Sequence, residues 1–243
     1  MKPLLCSALL LLTFSLNAQA PSAVSIPREP HHHLVLENDY VRVFRVSVPA
    51  HESTLLHQHD VPYLYVSLGP ADVINAIQGK PEAHLVMADG QLGYSPGHFA
   101  HIARNESNIP FNNVTIELLH AQGEAHNECG NVIPGQGAAI CDPPFVSDWA
   151  DTQFETSEAT LDLIWLFANG KHTESASKLA FLVVGLGGPQ VKISAKGKSP
   201  KVLREGEVEW FDSGTTVQFS HIGTEVAKFL KLTFKDSTLR SRP

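Results

Sequence analysis

The sequence predicts an all-β protein composed of two tandem barrels, and three observations support this fold class. Apolar and polar residues alternate in short runs separated by Gly, Pro, Asn and Asp, whereas helical periodicity is almost absent. The second half of the chain repeats the pattern of the first half. The length of 243 residues suffices for a leader and two small cores, each of roughly 85 residues. Many short strands joined by regular turns are typical of sandwiches and barrels.

The internal repeat sets the predicted domain boundaries. Residues 64–69 (LYVSLG) align with 182–187 (LVVGLG) at an offset of 118, and residues 89–94 (DGQLGY) align with 205–210 (EGEVEW) at an offset of 116. We therefore predict a first barrel over 33–120, a turn-rich linker over 121–155 and a second barrel over 156–236.

The first 20 residues predict a secretion signal peptide rather than a part of the fold. Lys2 supplies a positive start, residues 4–16 an apolar stretch, and Ala18-Gln19-Ala20 a small-residue cleavage site. The apolar stretch is too short to span a membrane, and no later segment approaches ~20 apolar residues. We expect a secreted or periplasmic protein whose mature form has no membrane span. Without Lys2 the formal net charge changes from −7 to −8, which argues against nucleic acid as a partner.

Two cysteines follow the signal peptide. Cys129 and Cys141 bracket a Gly/Pro-rich loop without periodicity. In an exported protein this arrangement favours a disulfide, which stabilises by ~3 kcal/mol through the unfolded state. The alternative is a metal site that combines both thiols with His126.

Three histidines form the strongest candidate for a metal-binding site. His57 and His59 occupy positions i and i+2 of a segment with strand composition, so their side chains point to the same face. His101 follows His59 by 42 residues and can complete the set from a neighbouring strand. Three neutral imidazoles suit a divalent transition metal and leave positions open for water or substrate. The tract 31–33 (HHH) is interpreted as the start of the first strand, with a second metal site on His31 and His33 as the alternative.

This pattern resembles the cupin family of jelly-roll-like, double-stranded β-helix barrels. The His-x-His motif matches His57 and His59, and a later glycine of the same motif matches Gly69. The second motif matches Gly90, Pro96, Gly97, His101 and Asn105.

The sequence departs from the family pattern in two respects. The usual acidic ligand is missing, and its place falls on Tyr63 or Leu64. The Pro and Gly of the second motif are adjacent rather than separated by one residue. His98 is a rival third ligand, but only His101 has an Asn four residues later. The resemblance implies one divalent transition metal (Fe, Mn, Zn or Ni) and two tandem cupin barrels.

The repeat predicts that only the first barrel carries a metal site. At an offset of 118, His57 and His59 fall on Ser175 and Ser177, and His101 falls near Phe219. Serine hydroxyls are poor ligands for transition metals. We expect the second barrel to serve packing or assembly, and a homo-oligomer is compatible with the sequence.

Two further residues are candidates for catalysis. Tyr63 shares the parity of the histidine pair if one strand runs through Pro62, and its hydroxyl would then donate a hydrogen bond beside the metal. Arg42 shares a strand face with Phe44, and it reaches a substrate carboxylate if that face lines the barrel. Core packing for Tyr63 and a solvent-directed side chain for Arg42 are the alternatives.

Two functional hypotheses follow. The first is an exported metal-dependent enzyme that acts on a small organic molecule, as a dioxygenase, isomerase or lyase. The second is a non-catalytic, ligand-binding or structural bicupin. The intact histidine trio favours the first, and the missing acidic ligand favours the second; fold alone does not decide between them.

Overall fold

The computed structural model describes residues 22–141, 147–221 and 223–235. The predicted signal peptide, 1–20, lies outside the described residues. Within them, no helix is long and apolar enough to cross a membrane.

The regular secondary structure of the described chain is β-strand, apart from one short 3₁₀ turn at Ile26–Arg28. The strands of the first half are β1 (Val24–Ser25), β2 (His32–Glu37), β3 (Val41–Val48), β4 (His57–His59), β5 (Tyr63–Ser67), β6 (Ala71–Ile77), β7 (Ala83–Met87), β8 (Leu92–Ser95), β9 (Phe99–Asn105) and β10 (Phe111–Leu118). Those that follow are β11 (Ala125–Asn127), β12 (Trp149–Thr156), β13 (Ala159–Leu166), β14 (Lys171–Glu174), β15 (Phe181–Gly185), β16 (Val191–Ala195), β17 (Lys201–Leu203), β18 (Val208–Phe211), β19 (Val217–Ser220) and β20 (Ala227–Phe234).

These strands form four sheets that we call A to D. Sheet A has the order β1-β4-β9-β6-β7, and sheet B has the order β2-β3-β10-β5-β8. Sheet C has the order β11-β12-β13-β20-β15-β18, and sheet D has the order β14-β19-β16-β17. The all-β, jelly-roll-like fold class predicted from the sequence is therefore confirmed.

Three apolar layers hold the four sheets together. One core lies between sheets A and B, and a second lies between sheets C and D. The largest core lies between sheets B and C, so it joins the two halves of the molecule. Strand β3 shows how one sequence serves two layers: Phe44 and Val46 face sheet A, whereas Val43 faces sheet C. Because both faces of sheet B are covered, its strands are rich in buried valine, leucine and isoleucine.

The predicted linker contains more regular structure than its composition indicated. Residues 121–155 include β11 and most of β12, and both strands belong to sheet C. The disulfide between Cys129 and Cys141 is present, as predicted. The side chain of Asn127 binds the backbone of Val132 and Ile133, and Val132 is fully buried in the core between sheets B and C. The loop is thus anchored to the body of the protein by apolar burial as well as by the disulfide.

We predict that the core between sheets B and C couples the unfolding of both halves. Leu232, on β20, is 1% exposed in this core. Leu232→Ala should lower the free energy of unfolding by ~2–5 kcal/mol, because it removes buried contacts and leaves a cavity. Denaturant titrations followed by tryptophan fluorescence and by far-UV circular dichroism should shift together. Two separate transitions, of which only one moves, would contradict the coupling.

Candidate metal centre

The three histidines predicted as ligands meet because β4 pairs with β9. His57 is the direct antiparallel partner of His101, and His59 lies two residues along the same face of β4. The ring centroids of His57 and His101 are 4.4 Å apart, and that of His59 lies 5.1 Å from His57 and 5.0 Å from His101. All three residues are buried, with exposed fractions of 1, 2 and 9% for His57, His59 and His101.

The turn before β9 selects His101 over the rival His98. Gly97 has a φ of +73°, and a Cβ there would collide with the backbone of Val61. The backbone N–H of His98 donates to the carbonyl of His59 at 2.6 Å, while its side chain is exposed. Asn105, at the far end of β9, donates from Nδ2 to three backbone carbonyls and therefore has a structural role.

Acceptors behind the rings orient two of the three imidazoles. Nδ1 of His57 donates to the carbonyl of Leu55 at 2.9 Å, and Nδ1 of His101 donates to Oδ1 of Asn75 at 2.6 Å. A neutral imidazole carries one ring proton, so the Nε2 atoms of His57 and His101 each keep a free lone pair. Such acceptors behind the ring fix the tautomer of metal-binding histidines in general.

The structure adds a fourth histidine that the sequence interpretation missed. The ring centroid of His32 lies 4.8 Å from that of His57, and the nitrogens of His32, His57 and His59 fall within 4.8 Å of one another. Nδ1 of His32 lies 2.5 Å from Oε2 of the buried Glu29. The sequence analysis assigns His32 only to the start of a strand, because no motif relates its position to the other three histidines. Glu29, three positions earlier, is a sequence feature that could have pointed to it.

Burial keeps these imidazoles uncharged. Burial, and then the charge on His32, lowers the pKa of His57 from 6.5 to about 4. Burial, followed by the charges on His57 and His32, lowers the pKa of His101 to about 3. The same causes lower the pKa of His59 still further, with His101 as its strongest neighbour. The rings are therefore neutral at neutral pH, which is the form that binds metals.

The donor set fits a divalent transition metal. Among the described residues, Nε2 of His57 and Nδ1 of His59 are buried without a hydrogen-bond partner. Nε2 of His59 lies 3.1 Å from Nε2 of His101. Buried polar atoms without partners are rare, and lone pairs that converge from several imidazoles are the ligands preferred by such ions.

The histidines form one wall of a cavity of about 410 Å³ between sheets A and B. This volume lies within the ~300–1,000 Å³ typical of small-molecule sites. The rest of the lining is mainly apolar, and neutral polar groups include those of Asn75, Asn113 and Thr115. Of the described lining residues none carries a carboxylate or a guanidinium, and Lys80 is the one with an ammonium group. Pro134 from the disulfide loop also lines the cavity, so the predicted linker contributes to the site.

Tyr63 lines the cavity, but it does so from a different strand and sheet than the histidine pair. The chain leaves sheet A after β4 and enters sheet B at β5, so no single strand runs through Pro62. The ring of Tyr63 nevertheless stacks on that of His59, with centroids 4.0 Å apart. Burial raises the pKa of Tyr63 well above 10, so its hydroxyl remains a hydrogen-bond donor. Tyr65 also lines the cavity, and its ring occupies the space that a Cβ on Gly93 would need.

Arg42 is held away from the three histidines. Its Nη2 lies 2.8 Å from Oε2 of Glu117, whose side chain is 1% exposed. Arg42 is not among the described residues that line the cavity. The predicted role of Arg42 in binding a substrate carboxylate requires a free guanidinium inside the barrel. In the structure this guanidinium is paired with Glu117 on the neighbouring strand.

Strand register shows which residues of the second half replace His59 and His101. The bond from His98 N–H to the carbonyl of His59 has a counterpart from Gly214 N–H to the carbonyl of Ser177. Ser177 therefore replaces His59, as the offset of 118 predicted. The following strand is offset by 116 (214 − 98), so His101 corresponds to Val217, two residues before Phe219.

The same register shows how the second interior is filled. At an offset of 116, small or polar residues that line the first cavity correspond to fully buried phenylalanines. The pairs are Ser95 with Phe211, Ala103 with Phe219, and Asn113 with Phe229.

A second group of potential ligands lies on the surface. His126, Glu128 and Glu155 come together at the edge formed by β11 and β12, and none of the three is buried. The ammonium of Lys235 pairs with Glu155, which reduces the negative charge available to a cation. The alternative metal site, which combines both thiols with His126, is not formed, because Cys129 and Cys141 are joined in a disulfide.

Comparisons with known proteins identify the fold. No family model and no curated protein matches the sequence. The structure is similar to that of a cupin 2 conserved barrel domain protein from Leptotrichia buccalis, with a TM-score of 0.55 and 11% identity over 84% of this chain and 88% of that one. It is also similar to AerE from Microcystis aeruginosa, with a TM-score of 0.59 and 9% identity over 86% and 99% of the two chains.

An enzyme is among these structural relatives. Salicylate 1,2-dioxygenase from Pseudaminobacter salicylatoxidans has a TM-score of 0.59 and 11% identity over 86% of this chain and 78% of that one. A variant of that enzyme was solved in complex with gentisate. The chain has the cupin fold, as the motifs predicted.

We predict that the metal-free protein loses stability in acid because of the buried histidines. The folded chain holds His57 neutral down to about pH 4, whereas in the unfolded chain it binds a proton near its ordinary pKa of 6.5. The unfolded state therefore binds more protons between these values, and the free energy of unfolding should fall by roughly 3 kcal/mol from this residue as the pH is lowered. Denaturant titrations at several pH values give the free energy of unfolding as a function of pH. This free energy should fall less steeply with decreasing pH in His57→Gln than in the wild type. Equal slopes in both proteins would contradict the assignment.

Proposed function

We propose that this protein is an exported, metal-dependent enzyme of the bicupin type that acts on a small organic molecule. One divalent transition metal (Fe, Mn, Zn or Ni) would be held by His57, His59 and His101. The observation that carries the proposal is the close grouping of three buried imidazoles, two of which have a ring nitrogen without a hydrogen-bond partner, on the wall of a ligand-sized cavity. When bound, such a metal supplies Lewis-acid or redox chemistry to substrate oxygens. Export to the periplasm or beyond follows from the predicted signal peptide and is part of the proposal.

The residues of the chain position the substrate and exclude water. The hydroxyl of Tyr63, which remains protonated, is the hydrogen-bond donor next to His59 and is the proposed catalytic residue. Asn113 and Thr115 offer neutral polar groups deeper in the cavity, where Thr115 Oγ1 donates to Asn113 Oδ1 at 2.8 Å. Apolar walls and Pro134 shield the ligand from solvent.

The lining favours a substrate with an apolar body and an oxygen that can bind a metal. Of the described lining residues none carries a carboxylate or a guanidinium, and Lys80 is the one with an ammonium group. A phenol, an enol or a carbonyl compound fits this lining, because its oxygen suits the proposed metal and its carbon skeleton suits the apolar residues of the cavity.

Metal analysis tests the proposal most directly. Protein isolated from its native compartment should contain close to one divalent metal per chain, and His59→Ala should lose it, because the variant lacks one of the proposed ligands. Ser177→Ala is a matched control, since Ser177 occupies the position of His59 in the second half, and it should retain the metal. Equal metal content in wild type and His59→Ala would refute the proposed centre.

Filling the cavity tests the proposed substrate site. Asn113→Phe introduces the residue that the second half carries at the corresponding position, and it should abolish binding without changing metal content. A panel of small phenols and carbonyl compounds can be screened by thermal shift on metal-loaded protein. Compounds that stabilise the wild type should have no effect on Asn113→Phe, whereas they should still stabilise Val86→Phe, a control at a site that is 70% exposed. Catalysis is then distinguished from simple binding by product analysis. Retained binding in Asn113→Phe would place the ligand elsewhere.

A further inference from the structure

The segment before β2 is built around one buried carboxylate. Glu29 is 1% exposed and follows the 3₁₀ turn, whose first residue, Ile26, is anchored in the core between sheets A and B. Oε2 of Glu29 accepts hydrogen bonds from the N–H of His31 at 2.9 Å and from Nδ1 of His32. Oε1 accepts from the N–H of Leu55 at 3.2 Å. Both oxygens are thus used as acceptors, and no described lysine or arginine pairs with this carboxylate.

Glu29 is connected to two of the clustered histidines. It contacts His32 directly through Nδ1. It also binds the N–H of Leu55, and the carbonyl of the same Leu55 accepts from Nδ1 of His57. Strand β1 pairs in parallel with β4, with Val24 opposite His57, so the whole segment is fixed against the histidine strand.

The charge of the proposed centre lacks a compensating group among its immediate neighbours. His57, His59 and His101 are neutral ligands, and no carboxylate is present among the described residues that line the cavity. A buried divalent ion with neutral ligands alone retains its full charge in an apolar surrounding, which is unfavourable. Glu29 is the carboxylate that the structure places directly behind the histidine cluster.

We infer that His32 is a fourth ligand of the proposed metal and that Glu29 acts through it as a positioning residue that supplies negative charge. This inference rests on the proposed metal centre and extends it from three histidines to four. Nδ1 of His32 is bound to the carboxylate, which directs Nε2 toward the cavity that His32 lines. The arrangement matches the carboxylate–histidine–metal triads in which the carboxylate raises the basicity of the ligand. The negative charge therefore lies one residue behind the metal instead of in contact with it.

Metal affinity tests the inference. Co²⁺ affinity should be measured by competition with a chelator for wild type, His32→Ala, Glu29→Gln and the double variant. Each single variant should weaken Co²⁺ binding ~10–100-fold. Because Glu29 acts through His32, the double variant should lose little more than His32→Ala alone. His31→Ala is the matched control, since its Nδ1 binds the carbonyl of Ser47 and it does not line the cavity; it should bind Co²⁺ like the wild type.

Counting the imidazoles gives a second, independent measurement. His32→Gln keeps a donor for Glu29 and removes the imidazole, so it serves if His32→Ala does not fold. Pulsed electron paramagnetic resonance of Cu²⁺-loaded protein should detect one imidazole fewer in His32→Gln than in wild type. Unchanged affinity and an unchanged imidazole count in the His32 variants, with metal lost in His101→Ala, would overturn the inference and leave the three-histidine centre intact. Unchanged metal binding in His101→Ala as well would overturn both.

Discussion

The site depends on keeping His57, His59 and His101 neutral while they are buried against one another. A proton on any ring would place a charge beside two other imidazoles in a medium of low dielectric constant, which is why their pKa values are lowered. The surrounding groups meet this requirement. Acceptors behind the rings, such as the carbonyl of Leu55 and the amide of Asn75, bind Nδ1 and leave the lone pairs directed inward.

A cavity in a small core reduces stability, because the atoms that line it lose packing contacts. Two features of this protein offset that loss. The core between sheets B and C is the largest apolar cluster, and it buries the outer face of the sheet that carries Tyr63. The second half fills its own interior with Phe211, Phe219 and Phe229 at the positions where the first half keeps its cavity open. The two halves thus differ in their interiors, one open and one filled, although they share one pattern of strands.

The loop closed by Cys129 and Cys141 contacts both the core between sheets B and C and the cavity of the first half. Val132 is buried in the core between sheets B and C, and its carbonyl accepts from the N–H of Tyr94 at 2.9 Å. Two residues further on, Pro134 lines the cavity. The mouth of the site is therefore held by the same core that joins the two halves.

The sequence by itself determined the strand content, the repeat, the pairing of the two cysteines and three of the four clustered histidines. Each of these features is local or is repeated at a constant spacing, such as the shared face of His57 and His59 or the offset of 118 that replaces His59 by Ser177. Tertiary structure alone decided that His32 joins the cluster and that Arg42 is bound to Glu117 instead of a ligand. Both outcomes depend on which strands become neighbours in the folded protein. Arg42 and Glu117 face each other on the paired strands β3 and β10. By contrast, β2 and β4 lie in different sheets and meet only when sheets A and B pack face to face. Periodicity along one strand carries no information about that packing.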